Sequence, residues 1–282
     1  MSSKQQPSPL KYLSCYQLRE CVYETSWENV YHARDSRSGE LVTLKMIPSE
    51  LPAEVRQRLF RNERDTLATV KHPNIVRLVE AREERGLLYL VVEHLDGPNL
   101  EKTIADRQPM NLREKLEPVA QVADALHCAH QHGIVHRTLL PLEIVVTGNG
   151  VAKLHGFHMR EIPGSPCRES ASDGTIVGKP RYPSPEQIRG GNVDARSDIF
   201  SLGTILYQLL TYALPFPGDD VTTVLYKIVA EPPEPLGKHL PDAPQELAAI
   251  VNKALAKDRA QRYQSAEAMA RELRALARTP RA

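Results

Sequence analysis

The apolar pattern of the chain changes once, at Gly97-Pro98, and this change limits the fold more than any other sequence feature. Before it lie short segments rich in Val, Leu and Tyr, separated by turn residues, which is typical of β-strands. After it, apolar residues recur at helical spacing over long segments. The sequence therefore predicts an α+β protein with a small β-rich lobe followed by a larger helical lobe.

Periodicity also places the individual elements. Strands are predicted over residues 16–23, 29–33, 41–47, 76–81 and 87–93, with one helix among them over residues 52–70. A long helix from Leu112 should close at Gly133, since glycine readily takes the positive φ of a helix C-terminus. A second, over residues 197–212, is apolar on nearly every side and should run through the interior. Gly-Asn-Gly between residues 144–147 and 151–154 predicts a β-hairpin.

Charge and cysteine content exclude several classes of function. The chain has 36 Lys and Arg against 35 Asp and Glu, a formal net charge of +1, so no global basic field favours nucleic acid or an anionic membrane. The four cysteines show no Cys-x-x-Cys spacing, and no apolar stretch is long enough to span a bilayer. We therefore expect a cytoplasmic protein, or the cytosolic part of a longer one, without a nucleic-acid partner and without a membrane partner in this chain.

Short motifs occur in a specific order. These landmarks are Lys45 in Val-Thr-Leu-Lys, Glu63, His136-Arg137, Phe157, Glu186 in Ser-Pro-Glu-Gln, Asp198 in Asp-Ile-Phe-Ser-Leu-Gly, and Arg262. Together they resemble the eukaryotic-like protein kinase family, most nearly bacterial Ser/Thr kinases. The resemblance implies a flexible tail over residues 1–11, a two-lobed kinase-like domain over 12–276 (N-lobe 12–93, hinge 94–98, C-lobe 99–276) and an end segment over 277–282.

The positions that carry kinase chemistry depart from the family pattern. Kinases need a glycine loop over the phosphates, magnesium ligands and an aspartate that accepts the substrate proton. By the resemblance, Thr138 stands in place of that aspartate, and a threonine hydroxyl cannot take a proton near neutral pH. The other departures are Tyr23, Thr25 and Glu28 for the three glycines, Leu140 for a phosphate-neutralising lysine, Glu143 for a metal-binding asparagine, Gly156 and His158 for Asp and Gly of Asp-Phe-Gly, and Lys179 for a threonine.

The framework positions, in contrast, are retained. Lys45 and Glu63 are expected to pair, because an unpaired carboxylate on the apolar face of a helix is costly. The resemblance implies an apolar column between the lobes, formed by Leu67, Leu78, His136 and Phe157 and anchored by Asp198, and a buried ion pair between Glu186 and Arg262 in the helical lobe. Candidate cofactor contacts are Lys45, Glu63, Val30, Val92, Glu93 and Val145.

These observations lead to the prediction of a pseudokinase, that is, a kinase-like domain that is not an enzyme and takes no cofactor and no metal. It would bind a protein partner, such as an active kinase or another signalling protein, as a scaffold or allosteric regulator, with homodimerisation left open. The alternatives are a divergent kinase or nucleotide transferase with a rearranged site, and a non-catalytic nucleotide-sensing switch that binds nucleotide without metal. Candidate phosphorylation sites are Ser165, Ser170, Ser172 and Thr175.

Overall fold

A computed structural model describes residues 11–159 and 181–279. The first lobe is an antiparallel sheet with strand order β1-β2-β3-β4-β6-β5 and one helix, α1 (Ala53–Thr69), packed against it. The strands are β1 (Tyr12–Leu13), β2 (Tyr16–Glu24), β3 (Asn29–Asp35), β4 (Leu41–Ile47), β5 (Leu78–Glu84) and β6 (Leu87–Glu93). The predicted helix and four of the five predicted strands lie within one or two residues of these bounds.

The fifth predicted strand, over residues 76–81, begins later than expected. Val76 donates its backbone N–H to the carbonyl of Leu154 at 2.9 Å, and Ile75 forms a β-bridge with Leu154. This segment therefore crosses to the second lobe before β5 starts at Leu78. Because Ile75 and Val76 are both buried there, their apolar character reflects contact between the lobes and not membership of the sheet.

The second lobe is helical and carries one short hairpin. Its helices are α2 (Leu100–Ala105), α3 (Leu112–Gln131), α4 (Pro185–Ile188), α5 (Ala195–Thr211), α6 (Val221–Ala230), α7 (Gln245–Ala254) and α8 (Ala266–Ala277), and the hairpin consists of β7 (Ile144–Val146) and β8 (Ala152–Leu154). As predicted, α5 is buried along most of its length, and Gly133 takes a φ of +70° just after α3. None of the helices in the two described ranges combines the length and apolar character needed to cross a bilayer.

The connection between the lobes depends on a glycine. Between β6 and α2 the chain runs against β7, where Val146 N–H donates to the carbonyl of Pro98 at 3.0 Å. A Cβ atom built on Gly97 would collide with the backbone carbonyl of Val146. Any other residue at position 97 would force the connection away from the hairpin, so the glycine fixes how closely the two lobes approach each other.

Asp198, in the first turn of α5, holds the loop that follows α3. Its Oδ2 accepts a hydrogen bond from the backbone N–H of His136 and its Oδ1 one from that of Arg137, both at 2.8 Å, and His130 Nε2 lies 2.7 Å from Oδ2. Burial raises the pKa of Asp198, but the contacts with His130 and His136 together bring it below its usual value, and the carboxylate stays charged. Arg137 has a φ of +71°, a strained conformation that these bonds help to hold.

Replacing Asp198 should therefore destabilise the whole fold. Asp198→Ala leaves two buried backbone N–H groups without an acceptor, at about 1–3 kcal/mol each. We expect the free energy of unfolding in urea to fall by at least about 2 kcal/mol. The matched control is Asp242→Ala at an exposed position, which should change stability by less than about 0.5 kcal/mol. Equal stability of the two variants would contradict the anchoring role.

Candidate functional site

Lys45 on β4 and Glu63 on α1 meet in the cleft beneath the sheet. The Lys45 ammonium contacts Glu63 Oε1, and both side chains are almost fully buried. Alternation along β4 directs Lys45 inward, and the apolar stripe of α1 carries Glu63 to the same place. Gly156 N–H donates to Glu63 Oε1 at 3.3 Å, so the carboxylate also links α1 to the second lobe. The structure thus brings together the two residues that the sequence suggested as partners.

Glu28 is a third member of this cluster, and sequence reasoning missed its partner. Its Oε2 lies 2.9 Å from Lys45 Nζ, and its Oε1 accepts a hydrogen bond from the Tyr23 hydroxyl at 2.9 Å. The side chain is 3% exposed, so water screens this contact very little. The signal that could have revealed it is strand register: Val30 pairs with Lys45 across β3 and β4, and residues 28 and 30 lie on one face.

The three charged groups hold one another in their ionised forms. Burial raises the pKa of Glu28 and of Glu63, but the Lys45 ammonium and His158 together lower both, so that each pKa lies below its usual value. Burial lowers the pKa of Lys45, and the two carboxylates raise it well beyond its usual value. Two negative charges and one positive charge are therefore enclosed together, and the trio carries a net charge of −1.

Glu143 differs from these carboxylates. Burial, followed by the nearby charge of Glu28, raises the pKa of Glu143 well above its ordinary value, which favours the neutral form of the group. Leu140 N–H donates to its Oε2 at 3.0 Å. Its carboxyl group fills the space beside Gly156, which has a φ of +90°, and a Cβ on residue 156 would collide with it. The position that aligns with a metal-binding asparagine therefore holds an uncharged acid packed against the glycine.

The catalytic-loop position Thr138 lies close by. It is half-buried, and its hydroxyl has no hydrogen-bond partner among the described residues. Leu140, the residue aligned with the phosphate-neutralising lysine, supplies only its backbone N–H, to Glu143. Lys179 and the candidate phosphorylation sites Ser165, Ser170, Ser172 and Thr175 lie outside the described residues.

The residues of the apolar column implied by the resemblance lie in or against one core. The rings of His136 and Phe157 lie 4.7 Å apart, and Phe157, Leu67 and Leu78 belong to one core that spans both lobes. His136 Nε2 donates to the carbonyl of His155 at 2.8 Å. Together with the bonds from His136 and Arg137 to Asp198, this column ties the base of the cleft to α5.

Glu186 and Arg262 form a bidentate ion pair beneath α5. The two guanidinium nitrogens lie 2.7 and 2.8 Å from the carboxylate oxygens, and the Ser197 hydroxyl donates to Oε1 at 2.6 Å. Burial raises the pKa of Glu186, but the hydrogen bonds from Arg262 and Ser197, together with the charge of Arg262, bring it below its usual value. The pair joins α4 and α5 to the segment before α8.

The remaining candidate cofactor contacts come from β3, β6 and β7. Val30 and Val92 are buried and Val145 is half-buried, so these three positions are apolar and largely enclosed. Glu93 Oε1 lies 2.7 Å from Lys153 Nζ and accepts a hydrogen bond from Arg77 N–H at 2.9 Å. These contacts occupy the Glu93 carboxylate, so its side chain serves the connection between the lobes.

One group of side chains in the described ranges has the composition of a metal site. Ligand atoms of Glu28, Glu63 and His158 lie within 4.8 Å of one another, and all three residues are buried. The Lys45 ammonium already contacts both carboxylates of this group, where it takes the place of a cation. Burial lowers the pKa of the neighbouring His155 to about 3, so that imidazole is neutral.

Comparison with known proteins identifies the family. The family model described as protein kinase domain matches residues 24–273. The chain belongs to the protein kinase family. Similar relatives include the serine/threonine-protein kinase PknB of Mycolicibacterium smegmatis (36% identical over 263 residues, 92% of this chain and 42% of the relative) and the probable serine/threonine-protein kinase SCO3848 of Streptomyces coelicolor (35% over 259 residues, 90% and 38%). The chain therefore spans less than half the length of these relatives.

These findings confirm the resemblance to bacterial Ser/Thr kinases and the two-lobed fold, and they correct two of our predictions. The relatives are named as serine/threonine-protein kinases, and protein kinases act with ATP and magnesium. The prediction that the chain is not an enzyme is therefore wrong, as is the prediction that it takes no cofactor. Both predictions gave the altered catalytic positions more weight than the kinase framework that surrounds them.

The described residues fit this cofactor only in part. The apolar side chains of Val30 and Val92 are of a kind that packs against a purine, and Lys45 paired with Glu63 is the arrangement that kinases use to hold phosphates. The Glu28 carboxylate, however, already contacts Lys45, and the neutral Glu143 is a poor ligand for magnesium, which prefers charged carboxylates. With these side chains as placed, the cleft does not fit a magnesium-bound triphosphate.

The neutral state of Glu143 gives a pH-dependent prediction. Above the unfolded pKa of Glu143 the unfolded chain loses this proton, while the folded protein keeps it, so stability falls as pH rises towards the folded pKa. Glu143→Gln mimics the neutral acid and removes that loss. We expect this variant to exceed wild type in free energy of unfolding by at least about 1 kcal/mol at pH 8, with a smaller gain at pH 5. Exposed Glu101→Gln is the control, and an equal effect at both pH values would contradict the neutral state.

Proposed function

We propose that this kinase-family domain, over residues 12–276 with lobes 12–93 and 99–276, acts on a protein partner in bacterial signalling as an allosteric regulator or scaffold, a role compatible with the enzyme activity of its family. The names of the relatives support a protein as the molecule acted on, since each is a serine/threonine-protein kinase. The net charge of the chain is close to zero, which also favours a protein partner over a nucleic acid.

The observation that carries this proposal is the buried framework of the cleft. An active kinase requires an ion pair such as that between Lys45 and Glu63. In this chain the pair is formed, and the Glu28 carboxylate also contacts the lysine. Asn62 Nδ2 donates to the carbonyl of His158 at 3.1 Å, which fixes α1 against the second lobe. A framework held by internal contacts can present a defined surface to a partner without a bound ligand.

Phosphotransfer from a rearranged site is the second candidate function, and family membership favours it. In that case Lys45 and Glu143 would take roles different from those in the family pattern, because Thr138 and Gly156 replace the two aspartates.

Partner binding tests the first proposal. Glu63→Gln removes one charge of the Lys45 pair and weakens the position of α1, whereas Thr138→Ala removes a hydroxyl that has no described partner. For a partner captured from the source cell and then purified, we expect Glu63→Gln to weaken affinity by about tenfold or more, equivalent to about 1.4 kcal/mol. Thr138→Ala should bind within about twofold of wild type. Equal affinity of all three proteins, each shown to be folded, would refute the proposal.

Incorporation of radiolabelled phosphate from ATP, with magnesium or manganese, tests the second candidate. Lys45→Ala is the decisive control, because a phosphate transfer that depends on this cleft must lose most of its rate when that lysine is removed. Incorporation by wild type that disappears in Lys45→Ala would establish phosphotransfer. Incorporation that persists in the variant would indicate a contaminating kinase.

A further inference from the structure

The three residues at the family's glycine positions act together in this chain. Thr25 Oγ accepts a hydrogen bond from Glu28 N–H and donates one to the Glu28 carbonyl, both at 3.0 Å, which fixes the turn between β2 and β3. The Tyr23 hydroxyl donates to Glu28 Oε1 at 2.9 Å. Tyr23 and Thr25 therefore orient the Glu28 carboxylate, whose second oxygen lies 2.9 Å from Lys45 Nζ.

Glu28 thus occupies the position of an anion at the lysine that kinases use for phosphates. A carboxylate and a phosphate oxygen make the same charge-assisted hydrogen bond to an ammonium group. Lys45 is already bound by Glu63, so two carboxylates share one ammonium group in a buried site. A phosphate brought to Lys45 would add further negative charge there, and low solvent screening makes that repulsion strong.

We propose that Glu28 is an intramolecular counter-ion that competes with the phosphate groups of a nucleotide for Lys45. With Glu28 on Lys45, the cleft accepts an uncharged ligand such as a nucleoside. A nucleoside phosphate binds only when the Glu28 carboxylate moves away from the lysine. Glu28 therefore determines whether the cleft binds a charged or an uncharged ligand. This inference does not depend on the proposed partner-binding role.

The position of Glu28 allows such a movement. It lies in the short turn between β2 and β3, outside both strands, where a change of the side chain leaves the strand pairing intact. Lys45 and Glu63, in contrast, lie within β4 and α1. Glu28 is therefore the member of the cluster that can leave Lys45 without a change in the sheet or in the helix.

Nucleotide affinity measured by isothermal titration calorimetry tests the proposal. The ligands are ATP and adenosine, in buffer with excess EDTA so that no divalent cation contributes. Glu28→Gln keeps the size of the side chain and an oxygen for the Tyr23 hydroxyl but removes the charge. We expect it to bind ATP at least about tenfold more tightly than wild type, equivalent to about 1.4 kcal/mol, and to bind adenosine within about twofold of wild type.

The matched control is Glu24→Gln, the same substitution at an exposed position at the end of β2. It should leave both affinities within about twofold of wild type. Lys45→Ala added to Glu28→Gln should abolish the gain for ATP, because the gain requires the freed ammonium. An unchanged ATP affinity in Glu28→Gln, or an equal gain for ATP and adenosine, would overturn the proposal.

Tyr23→Phe provides a second variant, which carries the test if Glu28→Gln does not fold. It removes only the hydroxyl that holds Glu28 Oε1. We expect a smaller gain for ATP of about two- to fivefold, with adenosine affinity unchanged. A Tyr23→Phe protein that binds ATP no better than wild type would show that the hydroxyl does not hold Glu28 against a competing phosphate, and the proposal would fail on that result alone.

Discussion

The ammonium group of Lys45, enclosed between the carboxylates of Glu28 and Glu63, is the interaction on which the cleft depends. Each charge alone would be costly to bury, and together they remain ionised because each carboxylate has the lysine as partner. The three residues come from β4, α1 and the turn between β2 and β3. One buried charge cluster therefore fixes the helix, the sheet and the turn relative to one another.

A continuous set of contacts carries this arrangement into the helical lobe. Glu63 accepts from Gly156 N–H, the next residue, Phe157, packs on His136, and His136 donates its backbone N–H to Asp198. This set of contacts therefore begins and ends at a buried carboxylate, Glu63 at one end and Asp198 at the other. Each carboxylate accepts hydrogen bonds from residues that are distant in sequence. The framework is retained because removal of any of these partners leaves a buried polar group unsatisfied, and this constraint holds whatever reaction the cleft performs.

The sequence predicted the framework better than it predicted the chemistry of the cleft. The spacing of apolar residues predicted α1 and α5, and the cost of burying an unpaired carboxylate predicted that Lys45 pairs with Glu63. The ion pair of Glu28 was missed because it depends on the conformation of one turn and on strand register. The neutral state of Glu143 depends on complete burial beside another carboxylate, which no local pattern reveals. Charge states in a closed cluster are properties of the folded neighbourhood.

The difference between framework and cleft chemistry also explains a disagreement. The family comparison indicates a kinase that uses ATP and magnesium, whereas the side chains of the cleft do not fit a magnesium-bound triphosphate. The identity of 36% is taken over 263 residues, or 92% of the chain, and the few residues of the cleft are a small part of that length. Ligand choice, in contrast, depends on a few charges, and one carboxylate at position 28 is enough to occupy the lysine that would hold a phosphate. A kinase framework and a self-neutralised lysine are compatible within one molecule. The charge on Lys45 available to a ligand, more than the similarity of the fold, therefore decides which ligands this cleft binds.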